Sequence, residues 1–202
     1  MNADRKNYGI YDWVVRPEDR VVLLSPCLMN WASMEDFSDV AKNHCGATML
    51  TNYLLLLEES NTSDSVRTNI RHTSESALRR ALFQSVHTYV PDGPIFRMST
   101  RANRYFKKEE ISARLLPIRA GELRSRLDEG HPCALLIARS LLHWHWVLVV
   151  GYVEKPDGTC AFAVVDEWHH QDVRLYEAGK GSRVLAAAVF LQPEGQACRT
   201  GA

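Results

Sequence analysis

The sequence predicts an α+β fold in which helices come first and a largely antiparallel sheet follows. The chain has 202 residues, 46% of them apolar, which is enough for one substantial core and favours a single domain over two. Helical patterns dominate from about residue 1 to 130, and short Val-rich segments separated by turns dominate from 131 to about 192. The remainder, 193–202, resembles a frayed tail.

Four segments have helical patterns, at about 44–58, 74–89, 101–115 and 120–130. The first is apolar on nearly all sides from Met49 to Leu57, as is typical of a buried central helix. The last is ended by Gly130 and Pro132, which are both stop signals. We therefore expect the first helix to pack at the centre of the fold.

Five strand patterns follow, at 132–139, 144–154, 160–168, 172–178 and 183–192. Short connections separate them, and the sequence Pro156-Asp157-Gly158 predicts a hairpin turn between the second and the third. Consecutive strands joined in this way pair antiparallel, so the second half of the chain predicts a sheet against which the central helix packs.

Composition argues against several classes of partner. Lys plus Arg and Asp plus Glu number 24 each, so no overall charge favours nucleic acid. Neither a phosphate loop nor a glycine-rich dinucleotide motif is present, and we expect no cofactor. The apolar stretch 134–153 is interrupted by Arg139, His143 and His145, which favours strands over a membrane span. The charged N-terminus lacks a signal peptide, so we expect a soluble protein that is cytoplasmic or exported by a specialised secretion system.

Cys45 is the candidate nucleophile among five cysteines. Their odd number and irregular spacing argue against a disulfide framework or a zinc knuckle, and most free cysteines are small buried hydrophobes. If Asn43 is the N-cap, however, Cys45 lies in the first turn of the central helix, where the positive end of the helix dipole favours a thiolate. Gly46 leaves room for a substrate carbonyl to approach the sulfur.

The candidate base lies at the start of the second strand. His44 is next to Cys45 but points about 100° away around the helix. His143 and His145 are two residues apart, so both lie on one face of their strand. From the residues alone, either imidazole can face the thiol.

The candidate acid is Asp166, at the end of the third strand pattern. That strand should pair with the histidine strand, which brings the carboxylate close enough to orient an imidazole. Trp168 follows two residues later and can shield the hydrogen bond from water. Cysteine, histidine and aspartate then come from a helix start and two neighbouring strands.

Four blocks in order resemble the papain-like cysteine peptidases: NHCGATMLTNYLLL, LDEGHPCALLIA, HWVLVVGY and VVDEW. The most similar branch is the bacterial one that includes the bacteriocin-leader peptidase domains of ABC exporters. The resemblance covers about 42–58 and 120–170, and it implies that His145 is the base and Asp166 the orienting acid. It further implies a thiol hydrolase of peptide, isopeptide or related amide bonds that acts on a peptide or protein substrate through an acyl-enzyme. An acyltransferase and a catalytically inactive binding module are the alternatives.

One departure concerns the oxyanion hole. Papain-like enzymes usually carry a Gln several residues before the cysteine, but no Gln precedes Gln84 here. Asp39 stands six residues before Cys45 and is not a donor when ionised. Asn43, Ser38 or Asn30 can supply a donor beside the main-chain N–H of the cysteine.

Two further interpretations use other residues. A metal site would draw on His-x-His and a carboxylate, which here are His143, His145, Asp166, His169 and His170. A binding module would use a basic stripe at helical spacing, formed by Arg97, Arg101, Arg104 and Lys107 or Lys108. We expect Asn52, seven residues after the cysteine, to be a buried structural amide.

Overall fold

The computed structural model describes residues 7–24, 30–61, 75–92, 97–108, 111–140, 142–168, 173–193, 198 and 200–201. Its helices are α1 (Cys45–Asn61), α2 (Glu75–His87), α3 (Met98–Tyr105) and α4 (Ala120–Asp128), with 3-10 turns at Met34–Phe37 and Phe106–Lys108. Its strands are β1 (Ile10–Tyr11), β2 (Arg20–Leu24), β3 (Ser112–Leu116), β4 (Cys133–Ser140), β5 (His143–Glu154), β6 (Cys160–Val165), β7 (Val173–Tyr176), β8 (Arg183–Leu191) and β9 (Thr200–Gly201). None of the helices in these ranges combines the length and apolarity needed to cross a membrane.

The strands form one sheet in the order β1-β7-β6-β5-β4-β8-β3, and β2 pairs with both β5 and β9. All of these recorded pairings are antiparallel. The predicted α+β fold is therefore confirmed, with the five predicted strands found as β4 to β8. The predicted hairpin turn is also present, since Gly158 N–H donates to Lys155 O at 2.9 Å and Gly158 has φ +81°.

β5 is the centre of the sheet, and it changes partner along one edge. Its first half pairs with β4 up to Val149, and its second half pairs with β2 from Gly151. A Cβ on Gly151 would lie 2.2 Å from Val22 O, so only glycine permits the close approach of β2 at this point. On its other edge β5 pairs with β6 only from Leu148 to Glu154, so in the recorded pairings the start of β5, with its histidines, extends past β6 at one end of the sheet.

α1 packs on β5 and α2, as the apolar pattern predicts. Its residues Ala47, Met49, Leu50 and Tyr53 have no exposed surface. Buried side chains all around a helix leave no polar face to solvent, so the position of the N-terminal end of α1 is determined by the packing of the whole helix.

Asn52 is the buried structural amide that the sequence predicts. Its Oδ1 accepts a hydrogen bond from Ala32 N–H at 2.8 Å, and its Nδ2 donates to Ala32 O at 3.0 Å. The two bonds attach the segment before the helix to the helix itself. A polar side chain in this core is tolerated because both of its groups are paired.

The prediction of a helix over 101–115 is wrong at its end. The α3 helix stops at Tyr105, and 112–116 form β3, paired with β8. Asn103 accounts for the reversal, because it donates to Ala113 O at 2.9 Å and accepts from Ala113 N–H at 2.6 Å. These two side-chain bonds hold β3 against the end of α3.

The predicted division into a helical part, a sheet part and a frayed tail is also too simple. β1, β2 and β3 belong to the first 130 residues, and β9 to the last ten, yet all four join the sheet. β1 and β9 have two residues each. Segments this short carry no periodicity, because their strand conformation comes from their partners.

Candidate active site

Cys45 is the first residue of α1 and is only 3% exposed. The predicted N-cap is displaced by one residue: His44 O accepts the first helical bond, from Thr48 N–H at 2.9 Å, so His44 is the N-cap. Asn43 precedes it with a left-handed φ of +50°. The prediction that Cys45 lies in the first turn is confirmed, but Asn43 is not the cap.

His145 lies near the start of β5 and is 4% exposed. Its Nε2 is 2.7 Å from the main-chain O of Asp166. A carbonyl oxygen only accepts, so Nε2 carries the hydrogen and Nδ1 is the basic nitrogen. This bond therefore selects the tautomer in which Nδ1 can take a proton.

Asp166 lies beside His145 as predicted, but the atom that accepts the hydrogen bond from the imidazole is its main-chain carbonyl oxygen and not its carboxylate. Its side-chain Oδ1 accepts from Trp168 N–H at 3.1 Å, which closes a local turn after β6. The carboxylate is fully buried. The expectation of a carboxylate-to-imidazole bond is thus corrected, because the turn directs the carbonyl of Asp166 to Nε2.

Trp168 covers the imidazole. The two rings stack with centroids 4.5 Å apart and an interplanar angle of 9°. Tyr8 extends this aromatic wall, with its ring 5.7 Å from that of Trp168 and 6.4 Å from that of His145. Tyr8 could not be predicted from the sequence, because the N-terminal segment has no pattern that relates it to a strand far along the chain.

Cys45 and His145 share a pocket of about 210 Å³. The main-chain N–H of Trp146, the residue after the histidine, acts to lower the pKa of the thiol. The lining residues are Tyr8, Met34, Asn43, Cys45, Arg139, Leu142, His143, Trp144, His145 and Trp168. The structure thus brings together the helix start and the histidine strand.

Burial sets the protonation of the thiol and the imidazole in the resting state. It raises the pKa of Cys45 to about 12, with a further increase from the charge of Glu167, although the N–H groups of Trp146 and Gly46 oppose the shift. Burial lowers the pKa of His145 to about 4, against the bond to Asp166 O. At neutral pH both groups are therefore neutral, and the thiol is not ionised before a substrate enters.

Glu167 is a buried acidic residue behind the pocket, and no motif in the sequence indicates it. Its side chain has no exposed surface, and neither carboxyl oxygen has a hydrogen-bond partner among the described residues. Burial, together with the charge of Asp166, raises its pKa well above the usual value. Its φ is +63°, and its carbonyl accepts from Met34 N–H at 2.8 Å. The one sequence feature that could have indicated Glu167 is its position, as an acidic residue between a buried strand and Trp168.

The candidate oxyanion donors separate by position. Asp39 is an exposed carboxylate bonded to Arg80, which lowers its pKa, so it cannot donate. Ser38 Oγ donates to Glu35 O at 2.9 Å, and Asn30 is exposed. Asn43 lines the pocket beside Cys45. Of the side chains considered, Asn43 alone is at the site.

The remaining histidines among the described residues have other partners. His44 is buried, with Nε2 3.0 Å from Met34 O, and His143 Nδ1 lies 2.9 Å from Ser140 Oγ on the exposed side. No group of three metal-ligating side chains occurs within the described ranges. His169 and His170, which the metal hypothesis also needs, lie outside them.

The basic stripe lies on and around α3. Arg97 and Arg104 are exposed and Arg101 is half-buried. Lys107 is exposed in the following 3-10 turn. The pocket lining does not include this stripe, so it is a separate surface.

The antiparallel sheet and the central helix that begins at Cys45 form an α+β fold, which is similar to that of a solved cysteine protease. The structure of active wild-type interpain A, a cysteine protease of Prevotella intermedia, is similar with a TM-score of 0.56 and 12% sequence identity. The similarity covers 88% of this chain and 98% of the protease chain. No family model and no curated protein matches the sequence. The comparison supports the cysteine-protease fold and gives no support to the bacteriocin-leader branch.

Proposed function

We propose that the protein is a cysteine-dependent hydrolase of peptide, isopeptide or related amide bonds. The observation that supports this most is that one pocket is lined both by Cys45, at the start of a buried helix, and by His145, whose bond at Nε2 leaves Nδ1 as the basic nitrogen. The cysteine-protease fold agrees with it. The assignment to the bacteriocin-leader branch rests on the sequence motifs alone.

In the proposed reaction His145 is the general base. Nδ1 takes the proton of the Cys45 thiol while the sulfur attacks the carbonyl carbon of the amide. The oxyanion is stabilised by the Cys45 main-chain N–H and by the Asn43 side chain. As the C–N bond breaks, the protonated imidazole returns the proton to the leaving amine, and a thioester remains on the sulfur. Water attacks this thioester and gives a proton to His145; the C–S bond then breaks, the imidazolium returns the proton to the sulfur, and the acid and the free thiol are released.

Asp166 and Trp168 support the base in this proposal. The carbonyl of Asp166 accepts from Nε2–H and stabilises the imidazolium that forms during attack. The stacked Trp168 ring limits the access of water to that bond. Because the resting pair is neutral, the proton moves only when the substrate carbonyl receives the sulfur's electrons.

The test is the cleavage of an acetylated and amidated peptide library, followed by mass spectrometry of the products and of the intact protein. The wild type should cleave peptides and carry an acyl adduct on Cys45. Cys45→Ala should lose all turnover, and His145→Ala should be slower by about 10²- to 10⁴-fold. Cys160→Ala, at a half-buried thiol away from the pocket, is the matched control and should behave as the wild type.

A catalytically inactive binding module is the second candidate, and the pKa of Cys45 near 12 favours it. Peptides would then protect Cys45 from iodoacetamide without any acyl adduct.

An acyltransferase would form the adduct and pass the acyl group to added glycinamide in preference to water. The absence of both cleavage and adduct in the wild type would refute the hydrolase.

A further inference from the structure

The candidate base lies against a segment of the chain that the proposed chemistry does not use. Tyr8, just before β1, is 7% exposed and lines the pocket. The centroid of its ring is 5.7 Å from that of Trp168 and 6.4 Å from that of His145, and Trp168 stacks on the imidazole. The imidazole is therefore enclosed by two aromatic rings that come from distant parts of the chain.

The main chain at Tyr8 is fixed to the turn between β7 and β8. The Tyr8 carbonyl accepts a hydrogen bond from the buried Ser182 hydroxyl at 2.6 Å. The next carbonyl, of Gly9, accepts from Glu177 N–H at 3.2 Å. Because two successive carbonyls are bonded to the same turn, the Tyr8 ring cannot move away from Trp168 without the loss of at least one of these bonds.

Two glycines permit this close contact between the N-terminal segment and the turn. A Cβ on Gly9 would overlap Lys180 O, and a Cβ on Gly181 would lie 2.6 Å from Asn7 O. Their φ angles are +78° and +92°, which also favour glycine. The two main chains can therefore lie in contact only while both positions lack a side chain.

We infer that Tyr8 is a positioning residue for His145, and that the turn 177–182, which does not line the pocket, holds Tyr8 in place. Tyr8 supports Trp168 from the side, and Trp168 keeps the imidazole aligned with the Asp166 carbonyl. The inference rests on the proposed function for the role of His145 as the base. The environment of the imidazole, however, can be measured without turnover.

The protonation of the imidazole gives a readout that a merely structural residue would not change. Burial lowers the pKa of His145 to about 4, and the Tyr8 ring contributes to that burial. Tyr8→Ala should therefore raise this pKa toward 6.5 in an NMR titration of the imidazole ring, whereas Tyr8→Phe keeps the ring and should leave the pKa near 4.

The other titratable or charged groups around the imidazole stay in every variant. They are Cys45, Arg139, His143, Asp166 and Glu167. The Arg139 Cζ lies 5.7 Å from the centroid of the Tyr8 ring. A guanidinium that moved closer to the imidazole would lower the pKa of His145, so a rise in Tyr8→Ala cannot come from Arg139.

Gly181→Ala tests the turn. Its methyl group would collide with Asn7 O, so the N-terminal segment must move, and the pKa of His145 should rise although residue 181 is not in the pocket. Gly158→Ala is the matched control, because its φ of +81° is similar and a Cβ there meets nothing within 4 Å. It should leave the pKa of His145 near 4. For the wild-type peptide substrate, kcat should fall by about 10- to 100-fold in Tyr8→Ala and Gly181→Ala.

A raised pKa in Tyr8→Ala and Gly181→Ala, with a pKa near 4 in Tyr8→Phe and Gly158→Ala, supports the inference. It is overturned if the pKa of His145 stays near 4 in either of the first two variants, or rises equally in either of the last two. It is also overturned if a wild type that cleaves peptides and these first two variants have the same kcat.

Thermal unfolding checks that each variant is folded. If Gly181→Ala is not, Ser182→Ala makes the same test, because it removes only the hydroxyl that binds the Tyr8 carbonyl, and it should raise the pKa of His145 in the same direction. Failure of the hydrolase proposal has a different signature, since the wild type would then give neither cleavage nor acyl adduct while the pattern of pKa values persists.

Discussion

Replacing Glu167 by glutamine should stabilise the folded protein at neutral pH and leave its stability at pH 4 unchanged. Glutamine keeps the size and neutral polarity of the protonated carboxyl but cannot ionise. In the folded state Glu167 has no exposed surface and a pKa well above 4.5. In the unfolded state the same group ionises near 4.5. Above that pH, ionisation lowers the free energy of the unfolded wild type but not that of the folded state.

The sign and the size follow from linkage. When folding raises the pKa of a carboxyl, the free energy of unfolding is highest below the unfolded-state pKa. It falls as the pH rises toward the folded-state pKa. Each pH unit is equivalent to about 1.4 kcal/mol. From a usual value of 4.5 to pH 7, the cost to the wild type therefore reaches up to about 3 kcal/mol, and Glu167→Gln removes this cost.

The assay is urea unfolding followed by tryptophan fluorescence between pH 4 and 8, for the wild type and Glu167→Gln. Glu18→Gln is the control, because the Glu18 side chain is 53% exposed and should change the free energy of unfolding by no more than about 0.5 kcal/mol. The reasoning is refuted if the difference between wild type and Glu167→Gln is independent of pH from 4.5 to 7. It is also refuted if glutamine is destabilising at pH 7.

Three other predictions concern the site and its support. Trp168→Ala should uncover His145 and raise its pKa from about 4 toward 6.5, which an NMR titration of the imidazole ring would measure. The free energy of unfolding of the wild type should fall by about 3 kcal/mol as the pH falls from 6.5 to 4, and that of the variant should fall by less. A pKa still near 4 would contradict the shielding. Asn52→Ala should cost about 2–4 kcal/mol, whereas Asn103→Ala, which removes the same kind of two-bond contact at an exposed residue, should cost less in the same unfolding assay. Iodoacetamide alkylation of Cys45 should rise steadily from pH 6 to 9, and a plateau below pH 7 would instead indicate a resting thiolate–imidazolium pair.

The elements with strong local patterns could be predicted from the sequence. The α1 helix has a continuous apolar surface, and β4 to β8 are Val-rich segments bounded by turns, so their burial can be inferred from the residues themselves. β3 could not be distinguished from a helix, because Asn103 reverses the chain through contacts that the pattern does not contain. β1 and β9 could not be predicted, since each has two residues and takes its conformation from its partner.

The sequence by itself determined that Cys45 begins the central helix and that a histidine strand and an acidic strand end follow it. Only the tertiary structure decided that the Asp166 carbonyl, and not its carboxylate, bonds to the imidazole, and that Tyr8 and Arg139 complete the pocket. It also decided the protonation of the thiol and of Glu167. The physical reason is that helix starts and strand patterns depend on neighbouring residues along the chain, whereas burial, pKa and pocket shape depend on residues that only folding brings together.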